Sequence, residues 1–477
     1  LDPGPAWRRA ATGEAHRFAV SVGASPLADF ASALDWLADY PHGCLEQTAS
    51  RVFPLIAAGG ILNSVATNRA DVVAAGVRRV ESMVRTSDFV VWPDCTSAPW
   101  DREVSLYAAH FLVEAKNAGH GPRPQTLATV LGFLKKWSLD TNDCVSAYAC
   151  HTLARAGQAD KDRMLRLYDR RTQLDALSRA RLARAFAATH DRARAAALLA
   201  YALNPQSVKE AAFQVLARID LDPNDAQIPT LIDYLTAHRD KARLSWGTTA
   251  ENAHALLAIG AYYQHHPVRG GEVRVGVCGG GADDGPTLGA RAARTVDAAA
   301  LCLTNRGAAT AFVTVREQWL NDPQSETNEA NGISLSRQYL RPDGTPADLT
   351  NLLRGEMLVV ELTLTSDMPR IVSDLVIEDL FPGAFEPVHR ELDPRPFASG
   401  STRAQVEDWV LRMDARDDRM LVFSRPFELK KDYDAKVFYP VRVVSAGSFT
   451  LPGPSVEGRY HPQLRARLAP GRLVVRP

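Results

Sequence analysis

The hydrophobic period of this chain switches twice along its length, and no other feature limits its fold as much. His16–Gly23 alternates, with Phe18, Val20 and Val22 on one face, the pattern of a half-buried strand. From Pro26 to about His266 the period becomes helical, in Ala-, Leu- and Arg-rich segments separated by short Pro, Gly, Asp or Asn breaks. After His265-His266-Pro267 come short runs, Glu272–Cys278, Ala298–Leu303 and Ala311–Glu317, divided by Gly, Asp and Asn turns. From Asn331 onward strands are predicted at sandwich-like spacing: Ile333–Leu340, Met357–Thr365, Ile371–Asp379, Met420–Phe423, Lys436–Val444 and Arg472–Val475. A helical domain inserted into a β domain explains this order economically, with Phe18–Val22 pairing beside strands after Val273 and a sandwich following.

Inside the helical block a loose repeat recurs. Val104–Leu112 (VSLYAAHFL) resembles Val145–Leu153 (VSAYACHTL), and Thr249–Leu257 (TAENAHALL) is a weaker third copy. Each copy follows a break and carries small residues that let helices approach closely. A second helix lies between successive copies, which predicts a closed α/α toroid; an open α-solenoid has the same local signals. His110, His151 and His254 hold equivalent places in the copies, which marks a structural position.

Length allows two to four domains: 477 residues give ample material for sizeable cores. Lys+Arg and Asp+Glu balance at 55 each, so no global field favours nucleic acid or an anionic membrane. No apolar run reaches the length of a membrane span. The opening Leu1-Asp2-Pro3-Gly4-Pro5 is no signal peptide, so any export signal or lipid anchor is expected upstream. Arg179, Arg181, Arg184, Arg192 and Arg194 read as solvated helix faces. The glycine-rich Gly279–Pro286 lacks the Gly-Lys-Ser/Thr of a phosphate loop, and a hairpin-like turn is expected there.

The six cysteines show no Cys-x-x-Cys metal pattern, and neither metal nor cofactor is expected. Cys278 and Cys302, on two strand-like segments, are candidates for a cross-strand disulfide. Cys95 and Cys144, each in a loop leading into a similar helix, make a weaker candidate pair. Cys150 is then left as a buried core thiol. Either bridge would imply an oxidising compartment, the periplasm or the cell exterior.

One stretch carries chemistry. Tyr40-Pro41-His42-Gly43-Cys44-Leu45-Glu46-Gln47 sets a thiol and a carboxamide three residues apart, after a Pro/Gly turn and at the mouth of an expected helix. At that spacing the two side chains share a helix face, so the sulfur can reach the amide carbon. Loss of ammonia to the thiol then gives an internal thioester, an acyl group stored for an external nucleophile. A thiolate near a helix N-terminus is stabilised and leaves readily. Water competes as nucleophile, so such a bond must be kept dry. The same residues also fit a plain structural role: Cys44 as a small buried hydrophobe, Gln47 as a first-turn residue, Glu46 as partner of the helix dipole.

The Gly43-Cys44-Leu45-Glu46-Gln47 run behind Tyr40-Pro41 resembles the thioester signature of the α2-macroglobulin and complement superfamily, specifically its bacterial members. Further stretches resemble that family: Trp92-Pro93 with Trp100 and Tyr107–Ala115, then Asp379–Glu386, Tyr439–Phe449 and Arg459-Tyr460-His461-Pro462. The resemblance implies a C-terminal fragment of multidomain α + β class. Its parts would be a CUB-like β domain in two pieces (1–24 and 267–329), a helical α/α-toroid thioester domain inserted in it (25–266), and a C-terminal macroglobulin-like β-sandwich (330–477).

By the same resemblance Cys44 and Gln47 form the thioester. Tyr40, and more remotely Tyr460, are candidates to shield it, places that core packing fills as well. The implied function is that of a suicide-type endopeptidase inhibitor of bacterial defence, not a turnover enzyme. An attacking protease cuts a bait segment elsewhere in the full-length chain, and the thioester then acylates its lysine amines. The partners implied are target proteases and the upstream macroglobulin-like domains. The location implied is periplasmic or extracellular, with a lipid anchor upstream. Some relatives pass the acyl group to a histidine on a neighbouring helix; the corresponding stretch Trp137–Asp143 holds none, which favours coupling to amines. Three other readings compete. A cysteine hydrolase with Cys44 as nucleophile leaves Gln47 without a role. A non-reactive scaffold or binding module keeps the residues without the bond. A toroid carbohydrate-active enzyme needs a pair of acids around a cleft, which the helical block does not offer.

Overall fold

A computed structural model gives the fold and describes residues 7–10, 14–23, 30–38, 43–57, 69–93, 95, 99, 101–200, 204–240, 245–267, 273–279, 287–289, 293–297, 300–320, 326–388, 408–430, 434–461 and 463–477. The chain divides into two compact units, Leu1–Trp319 and Leu320–Pro477.

In the first unit, β1 (Trp7–Ala10) and β2 (Glu14–Gly23) precede the helices. Strands β3 (Arg274–Gly279), β4 (Thr287–Gly289), β5 (Ala293–Asp297), β6 (Ala300–Asn305) and β7 (Phe312–Leu320) follow them. One sheet runs β1-β6-β3-β4 and the other β5-β2-β7, so each combines strands from both sides of the helical block. The helices are therefore an insertion in the β part. Phe18, Val20 and Val22 bury against Val275, Val277, Leu301 and Leu303, which uses the alternation of each strand to fill one core. Antiparallel register sets Cys278 opposite Cys302, and Cys302 is disulfide-bonded. β3 and β4 pair antiparallel on either side of the glycine-rich stretch, most of which lies outside the described residues.

The helices are α1 (Ala31–Ala38), α2 (Leu45–Ala57), α3 (Arg69–Ser82), α4 (Arg102–Asn117), α5 (Pro124–Trp137), α6 (Asp143–Arg155), α7 (Lys161–Asp169), α8 (Ala176–Ala188), α9 (Arg192–Leu199), α10 (Val208–Leu221), α11 (Ile228–Ala237) and α12 (Thr249–His265). The polar breaks between them are their N-caps. Asp101, Asn142, Asp160, Asp175, Asp191 and Ser207 each accept a hydrogen bond from a first-turn N–H. Thr248 and Glu251 form a reciprocal capping box at α12. Even-numbered helices pack in sequence, α2 on α4, then α6, α8, α10 and α12, and α12 packs back on α2. Buried alanines such as Ala108, Ala109, Ala147, Ala149, Ala183, Ala185, Ala211 and Ala255 make that close approach feasible.

Two of the arginines expected on solvated faces lie inside instead. Arg181 is fully buried and Arg184 nearly so, because each meets a carboxylate: Arg181 reaches Glu103 at 2.6 Å and Arg184 reaches Asp220 at 2.7 Å. The Cys95–Cys144 bridge does not form. The Cys144 sulfur accepts from Arg181 Nη1 at 3.2 Å and the Cys95 sulfur from the Trp92 N–H at 3.3 Å. Cys150 is a buried thiol, as expected.

Among its described residues the second unit is all β. One sheet orders Phe385–Pro387, Ala435–Val443, Met357–Thr365 and Ser334–Leu340; a larger one orders Val410–Ala415, Arg419–Ser424, Leu375–Leu380, Ser455–Gly458, Arg465–Arg467 and Glu329–Asn331. Leu358, Val360, Leu362 and Leu364 share a core with Leu375, Ile377 and Val422 of the other sheet. A buried polar bridge crosses between the sheets: Arg337 Nη1 donates to Asp379 at 2.5 Å, and the Tyr439 hydroxyl donates to the second Asp379 oxygen. The strand expected over Ile371–Asp379 is interrupted. Asp374 adopts φ 54° and is clasped by Arg459 through its carbonyl and its carboxylate, so Arg370–Val372 and Leu375–Leu380 join different sheets.

Candidate functional site

Leu45 opens α2, which places Cys44 at the N-cap and Gln47 at the third helical position. The Gln47 carboxamide oxygen accepts from the Cys44 N–H at 3.3 Å. This is half of a capping box, with Cys44 in the seat that Ser or Thr ordinarily takes. The first turn is fixed from outside as well. The Leu45 N–H donates to the Val91 carbonyl at 2.9 Å, and the Thr48 N–H donates to the Cys44 carbonyl at 2.9 Å. Cys44 and Gln47 are each 2% exposed. The geometry that satisfies a helix N-terminus thus turns the Gln47 carboxamide back onto the backbone of Cys44, out of water.

Glu46 turns the other way, into the helical interior, and is 3% exposed. Its carboxylate accepts from Ser50 Oγ at 2.5 Å and from Thr249 Oγ1 at 3.0 and 2.9 Å. Ser50 Oγ also hydrogen-bonds the Tyr107 hydroxyl at 3.2 Å. α2 is thereby tied to the first turn of α12 and the middle of α4. Burial holds the Tyr107 phenol well above its ordinary range; the Ser50 hydrogen bond opposes this and the Glu46 charge adds to it.

On the outer side, Arg79 of α3 donates to the Gly43 carbonyl from Nη2 at 2.9 Å and Nε at 3.2 Å. Tyr40 and Pro41 lie outside the described residues. Arg79, Ser50, Thr249 and Val91 were not legible as site residues, since only the tertiary fold brings them to the motif.

The three repeat histidines meet around Phe213 of α10, with ring centroids 6.5, 6.1 and 5.5 Å away for His110, His151 and His254. His110 Nδ1 lies 3.2 Å from the Tyr148 hydroxyl and His254 Nδ1 lies 2.6 Å from the Ala250 carbonyl. Neither ring nitrogen of His151 has a hydrogen-bond partner. Burial pushes His151 well below the usual imidazole range and His254 down to about 3. It lowers His110 too, against the pull of Glu114. These are interior rings whose burial favours the neutral form. Among the described residues no group of His, Cys, Asp and Glu is arranged to hold a metal, and no helix is long and apolar enough to cross a membrane.

A family model for the bacterial α2-macroglobulin MG10 domain matches residues 332–463. The α2-macroglobulin of Xylella fastidiosa strain Temecula1 is 25% identical over 502 residues, covering 94% of this chain and 30% of that protein. Its counterpart from strain 9a5c is 24% identical over 511 residues, covering 96% and 30%. This chain is related to the bacterial α2-macroglobulins. It spans 30% of the length of these two curated α2-macroglobulins. The native Escherichia coli α2-macroglobulin, in a crystal structure running from domain MG7 to the C-terminus, superposes with a TM-score of 0.78 at 21% identity. That match covers 100% of this chain and 81% of the other. Salmonella α2-macroglobulin reacted with methylamine gives 0.78 at 23% identity, covering 100% and 33%. At these identities the α2-macroglobulin structures show a shared fold.

Proposed function

We propose that Cys44 and Gln47 form an internal thioester and that this chain is the reactive part of a covalent protease inhibitor. The observation that carries the reading is the buried N-cap geometry, in which the Gln47 side chain turns back to Cys44. In formation, the Cys44 sulfur attacks Gln47 Cδ, the C–S bond forms, the C–N bond breaks, and nitrogen leaves as ammonia with the thiol proton. In use, an amine attacks the same carbon, the C–S bond breaks with its electron pair going to sulfur, and the proton lost by the amine passes through solvent to that sulfur. The product is an amide at Gln47 and a thiol at Cys44.

The wider assignments follow this reading. The ring of α2, α4, α6, α8, α10 and α12 is an α/α toroid thioester domain, the flanking sheets a CUB-like domain, and the second unit a C-terminal macroglobulin-like sandwich. Bait cleavage elsewhere in the full-length chain would release the acyl group to lysines of the attacking protease. A disulfide at Cys302 favours an oxidising compartment, periplasm or exterior. The test is incubation with a fluorescent primary amine followed by peptide mapping. Label at Gln47 in the native chain and its loss in Cys44→Ala is the expected result. Label that survives Cys44→Ala, or none in either protein, contradicts it and leaves the non-reactive scaffold.

A further inference from the structure

We propose that Arg79 is a positioning residue of this site: it fixes the carbonyl before Cys44 and keeps a positive charge near the sulfur, which makes Cys44 a better leaving group. The proposal deepens the thioester reading and rests on it for the aminolysis step only.

Two independent observations support it. The first is the fork itself. Arg79 Nη2 and Nε both donate to the Gly43 carbonyl, at 2.9 and 3.2 Å, although Arg79 lies on an exposed face of α3 with open water as the alternative. The second is the glycine. Gly43 does not adopt the left-handed backbone, so conformation does not require it. What a side chain there would meet is the guanidinium: a Cβ would lie 3.3 Å from Arg79 Nε and 3.4 Å from Nη2. Glycine before the cysteine therefore leaves room for the arginine to close on the carbonyl.

Covalent geometry then fixes the electrostatics. The bonds from the Gly43 oxygen through the peptide to the Cys44 sulfur are so few that guanidinium and sulfur lie within roughly 9 Å of each other. That is about one Debye length at physiological salt, so screening weakens the attraction without abolishing it. A cation there favours the thiolate over the thiol, and a more stable thiolate departs faster when an amine attacks. A purely structural role predicts the opposite sign, because loosening the turn admits water and speeds loss of the bond.

The experiment compares native chain, Arg79→Gln, Arg79→Lys and Gly43→Ala. The first readout is the rate of thiol appearance in methylamine. The second is the pH midpoint of Cys44 alkylation by iodoacetamide once that thiol is exposed. Arg79→Gln should raise the midpoint by about half a pH unit and slow aminolysis about threefold. Arg79→Lys, which keeps the charge, should restore the midpoint. Gly43→Ala, which presses the guanidinium away, should shift it in the same direction as Arg79→Gln. An unchanged midpoint in Arg79→Gln, or faster thiol appearance, overturns the proposal. If Arg79→Gln does not fold, Gly43→Ala against the native chain decides by the same criterion. Should the native chain hold no thioester, its intact mass reveals that directly, and the alkylation midpoints still test Arg79.

Discussion

At Cys44 the needs of a helix N-terminus and of the proposed acyl store coincide. A helix leaves its first N–H groups without internal partners, and a residue at the third position with a carboxamide can answer one of them. Gln47 does so for Cys44 at 3.3 Å, and its side chain turns back toward that residue. This was legible because the two residues are neighbours along the chain and depend on one helical turn. Arg79, Ser50 and Thr249 were not, since nothing in local periodicity marks which arginine or hydroxyl will arrive from another helix. The histidines are intermediate: their recurrence marked a structural position, and their convergence on Phe213 needed the fold.

These rings also make a residue-scale prediction. An imidazole whose folded-state affinity for protons lies below its unfolded value of about 6.5 contributes stability above that pH and loses it as pH falls. His151 lies beside Arg184, His110, Arg155 and Arg181, and His254 near Lys209, Arg181 and Glu103. Glu103 works to raise the proton affinity of His254, and Glu114 that of His110, but neither offsets burial. Between about pH 6.5 and 4.5 the unfolded chain takes up protons that the folded rings resist, at up to about 1 kcal/mol per pH unit for His254. Below about 4.5 Glu103 and Glu114 add to the loss. Burial works to raise both carboxyls, but Arg181 and Lys209 in one case, and Arg155 and His110 in the other, hold them well below the usual range. Urea midpoints of the helical signal should thus fall steadily from pH 7 to 5, and His151→Phe should flatten that slope by about a third. An unaltered slope in the variant would count against neutral buried rings.

Among elements, the breaks between helices were correctly legible as breaks because Asp, Asn, Ser and Thr do two jobs there, ending one period and capping the next. The failures are equally physical. Arg181 and Arg184 read as surface because sequence shows a charge and not the carboxylate waiting for it. The strand through Asp374 was expected to run on because periodicity does not reveal a left-handed residue clasped by Arg459. The packing of α3 on α2 gives a prediction at this scale. A Cβ at Gly76 would lie 2.5 Å from Val52 Cγ2, and Val52 is buried and stiff within its helix. Alanine at an open helix position would be better than glycine by about 1 kcal/mol. Here the clash decides, and Gly76→Ala should cost about 1–3 kcal/mol in urea unfolding. Adding Val52→Ala should make the pair less costly than the sum of its parts. A Gly76→Ala protein as stable as the native chain would refute this packing.

For the molecule as a whole, the insertion of helices between strands was legible because a change of period survives any tertiary context. Closure of the ring was predicted from the repeat, whose local signals an open solenoid shares, because it depends on α12 returning to α2. The Glu46–Thr249 contact spans 203 residues, and no local signal carries such a distance. That closure buries the motif's carboxylate and anchors the turn that holds Cys44, so fold and proposed chemistry meet there. The most direct test of the account is the intact mass of the native chain before and after methylamine, with thiol titration alongside. With an intact thioester the mass falls one ammonia short of the disulfide-bonded sequence, and no thiol titrates at Cys44. After methylamine the mass should rise to that of a methylamide at Gln47, with one new thiol. A full sequence mass and a Cys44 thiol that titrates from the outset would contradict it.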